Sequence, residues 1–245
     1  MLENFSGAIA LIEITSSTEL PSIREPLTLT TSDNLKLIAE LATPVSNPPA
    51  AVLLTLHPLP THGGFMESHI LRKAANRLPA LADVAVLRFN TRGTTSPQGT
   101  SEGSFGDGVD ERHDLEAALE FLRSRQLGPV WLVGWSFGTE LAIKYGFDKD
   151  IAGAILLSPP LRRAGESDLA KWIGNGKKLI ALIPEHDEFL PPSPAIERFS
   201  VLPEAQVISV DGAKHLWVGE SATKRVLNEI VRAVNPTKYP LPDSF

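Results

Sequence analysis

The 245-residue sequence contains no cysteine, and this absence excludes several kinds of chemistry at once. Disulfide bonds, thiolate metal sites and a cysteine nucleophile all need that side chain. If the protein uses a nucleophile, the nucleophile must therefore be another residue type.

Basic residues are also scarce, with 23 Lys and Arg against 29 Asp and Glu and no basic run. The chain therefore lacks the electrostatic footprint of a nucleic-acid-binding protein. The apolar stretch within MLENFSGAIALIEI is interrupted by Glu13 and follows no basic residues. No segment approaches the length of about 18 apolar residues that a membrane helix needs. We expect a cytoplasmic protein without nucleic-acid or membrane partners.

The composition, with 42% hydrophobic and 21% charged residues, is that of an ordinary soluble globular protein. The length allows one large or two small domains. Because no composition shift, internal repeat or low-complexity tract divides the chain, we predict one α/β domain over residues 1–245.

Hydrophobic periodicity predicts the class of fold. Residues 25–43 hold two β-rich segments around the polar turn SDN, which indicates an antiparallel hairpin. Short apolar segments, typical of strands covered on both faces, follow at 50–56, 83–89, 129–133, 152–157, 178–183 and 206–210. Helix-period segments, such as 114–125 and 223–234, alternate with them. This alternation predicts a doubly wound, mostly parallel sheet with right-handed crossovers.

The segment GWSFG lies where a predicted strand turns into a predicted helix. This is the setting of a nucleophile elbow, in which Ser136 projects from the sheet edge and Gly134 and Gly138 permit close backbone packing. The helix N-terminus behind the serine favours developing negative charge. The bare pattern also arises by chance in roughly one such chain in ten, and a helix-capping serine would give the same letters.

A serine hydroxyl becomes reactive when a base takes its proton and an acid orients that base. In folds with this elbow, the acid and then the histidine follow later strands. The loop PEHDEFLPP offers Glu185, Asp187 and Glu188, and DGAKHLW offers His215. A solvated acidic turn and a surface histidine are the alternatives.

Acyl transfer also needs two N–H donors aimed at the developing oxyanion. One is expected at Phe137, directly after the serine. The loop HPLPTHGGFMES is expected to supply the other. Leu59 is the candidate, because its neighbours Pro58 and Pro60 have no N–H. A Pro- and Gly-rich turn without catalytic function would explain the same loop.

Four blocks of sequence together resemble the α/β-hydrolase superfamily, and more narrowly its small capless, esterase-like bacterial members near the dienelactone hydrolases. The blocks are HPLPTHGGFMES, VLRFNTRGTTSPQG with SFGDGVDERHDLEAALEFL, WLVGWSFGTELA, and IPEHDEFLPP with GAKHLW, all within residues 57–217. The resemblance implies an α/β-hydrolase fold and a triad of Ser136, Asp187 and His215. Asp187 is preferred over the other acids on this family pattern alone.

Two departures from the family bear on the substrate site. Related members often carry a second histidine where this chain has Leu59, and the segment at residues 158–176 is too short for a folded lid domain. The resemblance therefore implies an open site for small or medium substrates. Its apolar walls are expected among five residues, for which ordinary core or surface positions are the alternative. These are Phe65, Met66, Leu161, Trp172 and Trp217.

Together these observations predict a serine hydrolase that cleaves a small-molecule carboxylic ester through an acyl-enzyme, with no metal or organic cofactor. The motifs do not specify the scissile bond, so thioesterase, peptidase and acyltransferase activities stay open. A binding protein that has kept the hydrolase fold is the remaining alternative, and the intact Ser, Asp and His positions argue against it.

Overall fold

The structure is a computed structural model that describes residues 11–147 and 150–245. Most of the N-terminal stretch on which the cytoplasmic expectation rests lies outside these residues. The strands are β1 (Ile23–Thr30), β2 (Lys36–Thr43), β3 (Ala51–Leu56), β4 (Val84–Phe89), β5 (Thr95–Ser96), β6 (Gly99–Thr100), β7 (Val130–Trp135), β8 (Ile151–Leu157), β9 (Lys178–His186) and β10 (Gln206–Lys214).

Six α-helices are described in these two ranges, together with two short 3₁₀ turns at Pro60–His62 and Pro236–Lys238. The helices are α1 (His69–Ala82), α2 (Glu111–Arg125), α3 (Phe137–Tyr145), α4 (Glu166–Ala170), α5 (Pro192–Phe199) and α6 (Glu220–Val234). None of them is long and apolar enough to cross a membrane.

Eight strands form one sheet in the order β1-β2-β4-β3-β7-β8-β9-β10. The β1–β2 and β2–β4 pairs are antiparallel, and every later pair is parallel. The predicted hairpin and mostly parallel sheet are confirmed, and the six predicted apolar strands are β3, β4 and β7 to β10. The separate β5–β6 hairpin has two residues in each strand, too few for a hydrophobic pattern to indicate it.

Both faces of the sheet are covered, which explains the continuous apolar segments. In β3, Val52 and Leu54 join a core shared with α2 and α3, whereas Ala51 and Leu53 join a second core shared with α1 and α6. Successive side chains point to opposite faces, so a strand between two helix layers is apolar at every position.

The parallel strands bring several loops to one edge of the sheet, because their carboxyl ends point the same way. The loops after β3, β7, β8, β9 and β10 all begin at that edge. The segment between β8 and β9 contains one five-residue helix, α4, and no separate lid domain. The edge is therefore open above the strand ends.

A buried ion pair anchors the loop that follows β4. The Arg92 guanidinium contacts the Asp114 carboxylate on α2 at 2.8 Å, and the Arg92 N–H donates to the same carboxylate at 2.8 Å. The guanidinium also contacts Asp33 at 2.9 Å. The Asp114 side chain is fully buried, while that of Asp33 is 41% exposed.

We expect Asp114→Asn to lower the free energy of unfolding by about 3 kcal/mol, because it leaves the buried Arg92 without its enclosed counter-charge. Asp33→Asn removes the exposed partner of the same arginine and is expected to cost about 1 kcal/mol or less. Urea denaturation followed by circular dichroism measures both. Equal losses in the two variants would contradict this assignment.

Candidate active site

Ser136 lies between β7 and α3 in a backbone conformation that side chains rarely adopt, with φ 51° and ψ −115°. Its N–H donates to the Leu157 carbonyl at the end of β8 at 2.9 Å. Its own carbonyl accepts hydrogen bonds from the Thr139 N–H at 2.9 Å and the Thr139 hydroxyl at 2.6 Å. These contacts hold the strained turn at the junction.

The two glycines of GWSFG are required by close backbone approach. A Cβ atom at Gly134 would lie 2.6 Å from the Gly138 carbonyl oxygen. A Cβ atom at Gly138 would overlap the backbone of β3 at Leu56. Any side chain at either position would therefore push α3 away from the sheet, which is the packing reason predicted for these residues.

Ser136, His215 and Asp187 form one chain of hydrogen bonds. The Ser136 Oγ lies 2.9 Å from His215 Nε2, and His215 Nδ1 lies 2.9 Å from Asp187 Oδ2. The other two acids of the loop are elsewhere: Glu185 accepts from the Gly212 N–H, and Glu188 is exposed. The structure thus brings together the three residues that the sequence and the family resemblance select.

Asp187 is ionised in this arrangement. Burial raises the pKa of Asp187, but the His215 hydrogen bond and the N–H groups of Phe189 and Leu190 outweigh it and hold the pKa below its ordinary value. An ionised carboxylate only accepts hydrogen bonds, so His215 Nδ1 carries a proton. A proton on Nδ1 places the other ring nitrogen, Nε2, opposite the Ser136 hydroxyl.

The backbone at His215 is also held in place. Its carbonyl accepts hydrogen bonds from Trp135 Nε1 at 3.2 Å and from the Ser158 hydroxyl at 3.1 Å. The Phe189 ring packs against the imidazole with ring centroids 4.5 Å apart. Sequence patterns gave no indication of these contacts, since they join the ends of β7, β8, β9 and β10.

His57 fixes the peptide plane that contains the Leu59 N–H. Its Nε2 accepts a hydrogen bond from the Thr91 N–H at 3.1 Å, so its proton is on Nδ1, which donates to the Pro58 carbonyl at 2.7 Å. The Pro58 carbonyl and the Leu59 N–H belong to one trans peptide and point in opposite directions. Holding the carbonyl therefore sets the direction of the N–H.

The Leu59 and Phe137 N–H groups both lie in residues that line the cavity beside Ser136. Neither N–H donates a hydrogen bond to any residue in the two described ranges. Both donors are therefore unpaired among the described residues, and their assignment to an oxyanion stays a prediction.

A cavity of about 270 Å³ opens beside Ser136. Its wall is mostly apolar and comes from the loops at the carboxyl edge. The lining residues are Pro58, Leu59, His62, Trp135, Ser136, Phe137, Pro160, Arg162, Arg163, Glu188, Phe189, His215 and Leu216. Several of them adjoin predicted strand ends, and that position is the signal that could have identified them.

None of the five residues expected to form the substrate walls lines this cavity, so that prediction is wrong. Met66, Leu161, Trp172 and Trp217 are buried, and Phe65 is half-buried away from it. Leu161 and Trp172 pack in the core on the α2 and α3 side, and Trp217 in the core beneath α1 and α6. These four buried side chains therefore fill the interior rather than the site.

Across the described parts of the chain, no group of three or more His, Asp or Glu side chains is placed to hold a metal ion.

Residues 52–201, more than half of the chain, match the alpha/beta hydrolase family. The chain belongs to this family. A protein of Rickettsia prowazekii that carries no functional description is 31% identical over 130 residues, which cover 51% of this chain and 52% of that protein. The chain thus spans about half the length of the curated relative it matches.

Three solved structures share the fold. A lidless α/β serine hydrolase of Xanthomonas campestris has 24% identity and a TM-score of 0.72, covering 92% of this chain and 100% of that one. A serine hydrolase homologue of Coxiella burnetii has 23% identity and a TM-score of 0.70, with coverage of 86% and 97%. An esterase of Pyrococcus furiosus has 18% identity and a TM-score of 0.70, with coverage of 86% and 91%. These similarities extend over nearly all of each chain.

The buried His57 predicts a specific loss of stability in acid. Burial lowers the pKa of His57 from 6.5 to about 4, so protons bind the unfolded chain preferentially between these values. Its contribution is therefore complete above pH 6.5 and is lost as pH falls towards 4. We expect the free energy of unfolding to fall by about 2 kcal/mol more between pH 7 and pH 5 in the natural protein than in His57→Asn. Urea denaturation at both pH values measures this, and equal pH dependence would exclude His57 as the source.

Proposed function

We propose that this α/β hydrolase cleaves carboxylic esters through an acyl-enzyme on Ser136. The observation that carries the proposal is the hydrogen-bonded chain from the Ser136 hydroxyl through His215 to the ionised Asp187, ending in an open cavity. A binding protein would need neither this chain nor the two unpaired N–H groups beside it. The fold and the esterase among its structural neighbours are consistent with the proposal.

In the acylation step, His215 Nε2 takes the hydroxyl proton as Ser136 Oγ attacks the ester carbonyl carbon. The carbonyl oxygen becomes an oxyanion, which the Phe137 and Leu59 N–H groups bind. The C–O bond then breaks, and His215 returns the proton to the departing alkoxide. The alcohol leaves and the acyl group stays on Ser136.

In the deacylation step, a water molecule replaces the alcohol. His215 takes a proton from the water as its oxygen attacks the acyl carbon, and then returns a proton to Ser136 Oγ as the acid departs. Asp187 stays ionised throughout, keeping the Nδ1 proton in place and stabilising the positive charge on the ring. A cavity of about 270 Å³ fits small to medium substrates.

The first test concerns the nucleophile. We expect a fluorophosphonate to label folded protein at Ser136, detected by mass spectrometry of peptides, and Ser136→Ala to abolish both labelling and hydrolysis of short nitrophenyl esters. The melting temperature of the variant is expected to stay close to that of the natural protein, since the hydroxyl supports no packing. Hydrolysis retained by Ser136→Ala would place the nucleophile elsewhere.

The second test concerns the acid. Asp187→Asn is expected to lower kcat by roughly 10³- to 10⁴-fold with a small change in KM, because an amide at this position favours the wrong imidazole tautomer. Glu185→Gln is the matched control, since it removes an acid two residues away, at the end of β9, and this acid does not contact His215. Steady-state kinetics on one nitrophenyl ester measures both variants. Similar losses in the two would exclude a specific function for Asp187.

A further inference from the structure

Arg162 is a cation without a counter-charge in the wall of the candidate site. Its side chain lines the cavity together with Ser136 and His215. The guanidinium makes no hydrogen bond or ion pair with any residue that the structure describes; its carbon atom lies 4.7 Å from the centre of the Phe189 ring. A cation over an aromatic ring is attracted to its face, and the guanidinium N–H groups, which have no described partner, stay available to a ligand.

The buried carboxylate of Glu140 holds the backbone at Arg162 through hydrogen bonds. Glu140 on α3 is completely buried and accepts the N–H groups of three successive residues, at 2.7 Å from Arg162 and 2.6 Å from Ala164, with Arg163 between them. A carboxylate that receives three backbone donors holds that segment in one conformation. The backbone of Arg162 is therefore held in place, and its exposed side chain lies over the Phe189 ring.

Among the charged residues that line the cavity, Arg162 is the cation without an ionic partner in the described parts of the chain. Arg163 is neutralised by Asp107, whose carboxylate lies 2.9 Å from its Nε. Glu188 is the acidic residue in the wall; like Arg162 it is exposed and no described residue forms an ion pair with it, and unlike Arg162 it has no contact with an aromatic ring. His62 contacts the neighbouring Thr61 hydroxyl. An anion would thus meet a guanidinium that already lies against an aromatic ring, whereas a cation would meet a carboxylate with no such contact.

We propose that the natural ester carries a carboxylate, which the free N–H edge of Arg162 binds in two parallel hydrogen bonds. One aromatic ring, Phe189, separates the guanidinium from His215, since it contacts both. The carboxylate therefore sits a few bonds from the scissile carbonyl, with apolar atoms between them against Leu59 and Phe137. This inference names the substrate class of the proposed esterase and rests on that function.

The experiment compares esters that differ in one charge. In the first pair the charge is in the acyl part: the 4-nitrophenyl half-ester of adipic acid carries a carboxylate, and its partner carries a terminal primary amide instead. In the second pair the charge is in the leaving group: 3-acetoxybenzoate carries the carboxylate, and 3-acetoxybenzamide carries the amide. The quantity measured is the ratio of kcat/KM for the carboxylate to kcat/KM for the amide. We expect at least one pair to give a ratio of about three to ten, mainly through KM.

Three variants assign that preference to a residue. Arg162→Gln is expected to reduce the ratio to about one, and Glu188→Gln to raise it by removing a repelling charge. Arg232→Gln, which removes a positive charge at the far end of α6, is expected to leave the ratio unchanged. Melting temperatures check that each variant is folded.

The outcomes separate this inference from the proposed function. Ratios of one or below for both pairs in the natural protein, or equal effects of Arg162→Gln and Arg232→Gln, overturn the carboxylate preference. If the esters that carry an amide are still cleaved at the ester bond in a Ser136-dependent way, the esterase proposal is retained and only the carboxylate preference is rejected. If neither member of either pair is hydrolysed, both proposals fail.

Discussion

The left-handed backbone of Ser136 is the constraint on which the rest of the site depends. A side chain in such a region costs of order 1–3 kcal/mol, and it persists only where neighbours determine it. Here the Ser136 N–H is bound by β8, and Gly138 brings α3 against β3. Both contacts need the central strands in this order. Sheet topology therefore positions the serine hydroxyl between the imidazole of one loop and the N–H groups of another.

The hydrophobic pattern predicts the strands of this sheet well, because burial on both faces leaves continuous apolar segments. It predicts their ends less well: β9 continues to His186, past the apolar segment, because its last residues pair with β10. The order of nucleophile, acid and histidine along the chain can also be predicted from the sequence. The choice of Asp187 over Glu185 and Glu188 cannot be predicted from local composition, because it depends on a contact between residues that are 28 positions apart.

The cavity wall could not be predicted from residue type. The expectation chose large apolar side chains, and such side chains mostly fill cores. Trp217 shows the difficulty: it lies two residues after His215, yet its side chain is fully buried beneath the sheet. The wall instead includes Arg162 and the exposed Phe189, whose proximity arises because β8 and β9 are neighbours. Adjacency of strand ends is a better guide to such a site than hydrophobicity.

The charges of the site follow from burial and hydrogen bonding. Burial keeps His57 neutral, while donors from three residues keep Asp187 ionised, so a negative charge lies beside the His215 ring before any reaction. In the proposed acylation, the imidazolium forms beside that carboxylate and the oxyanion forms at the N–H groups. Each new charge thus has a partner already in place. A negative charge on the substrate has no such partner in the interior. Its partner has to lie at the edge of the cavity, where Arg162 is.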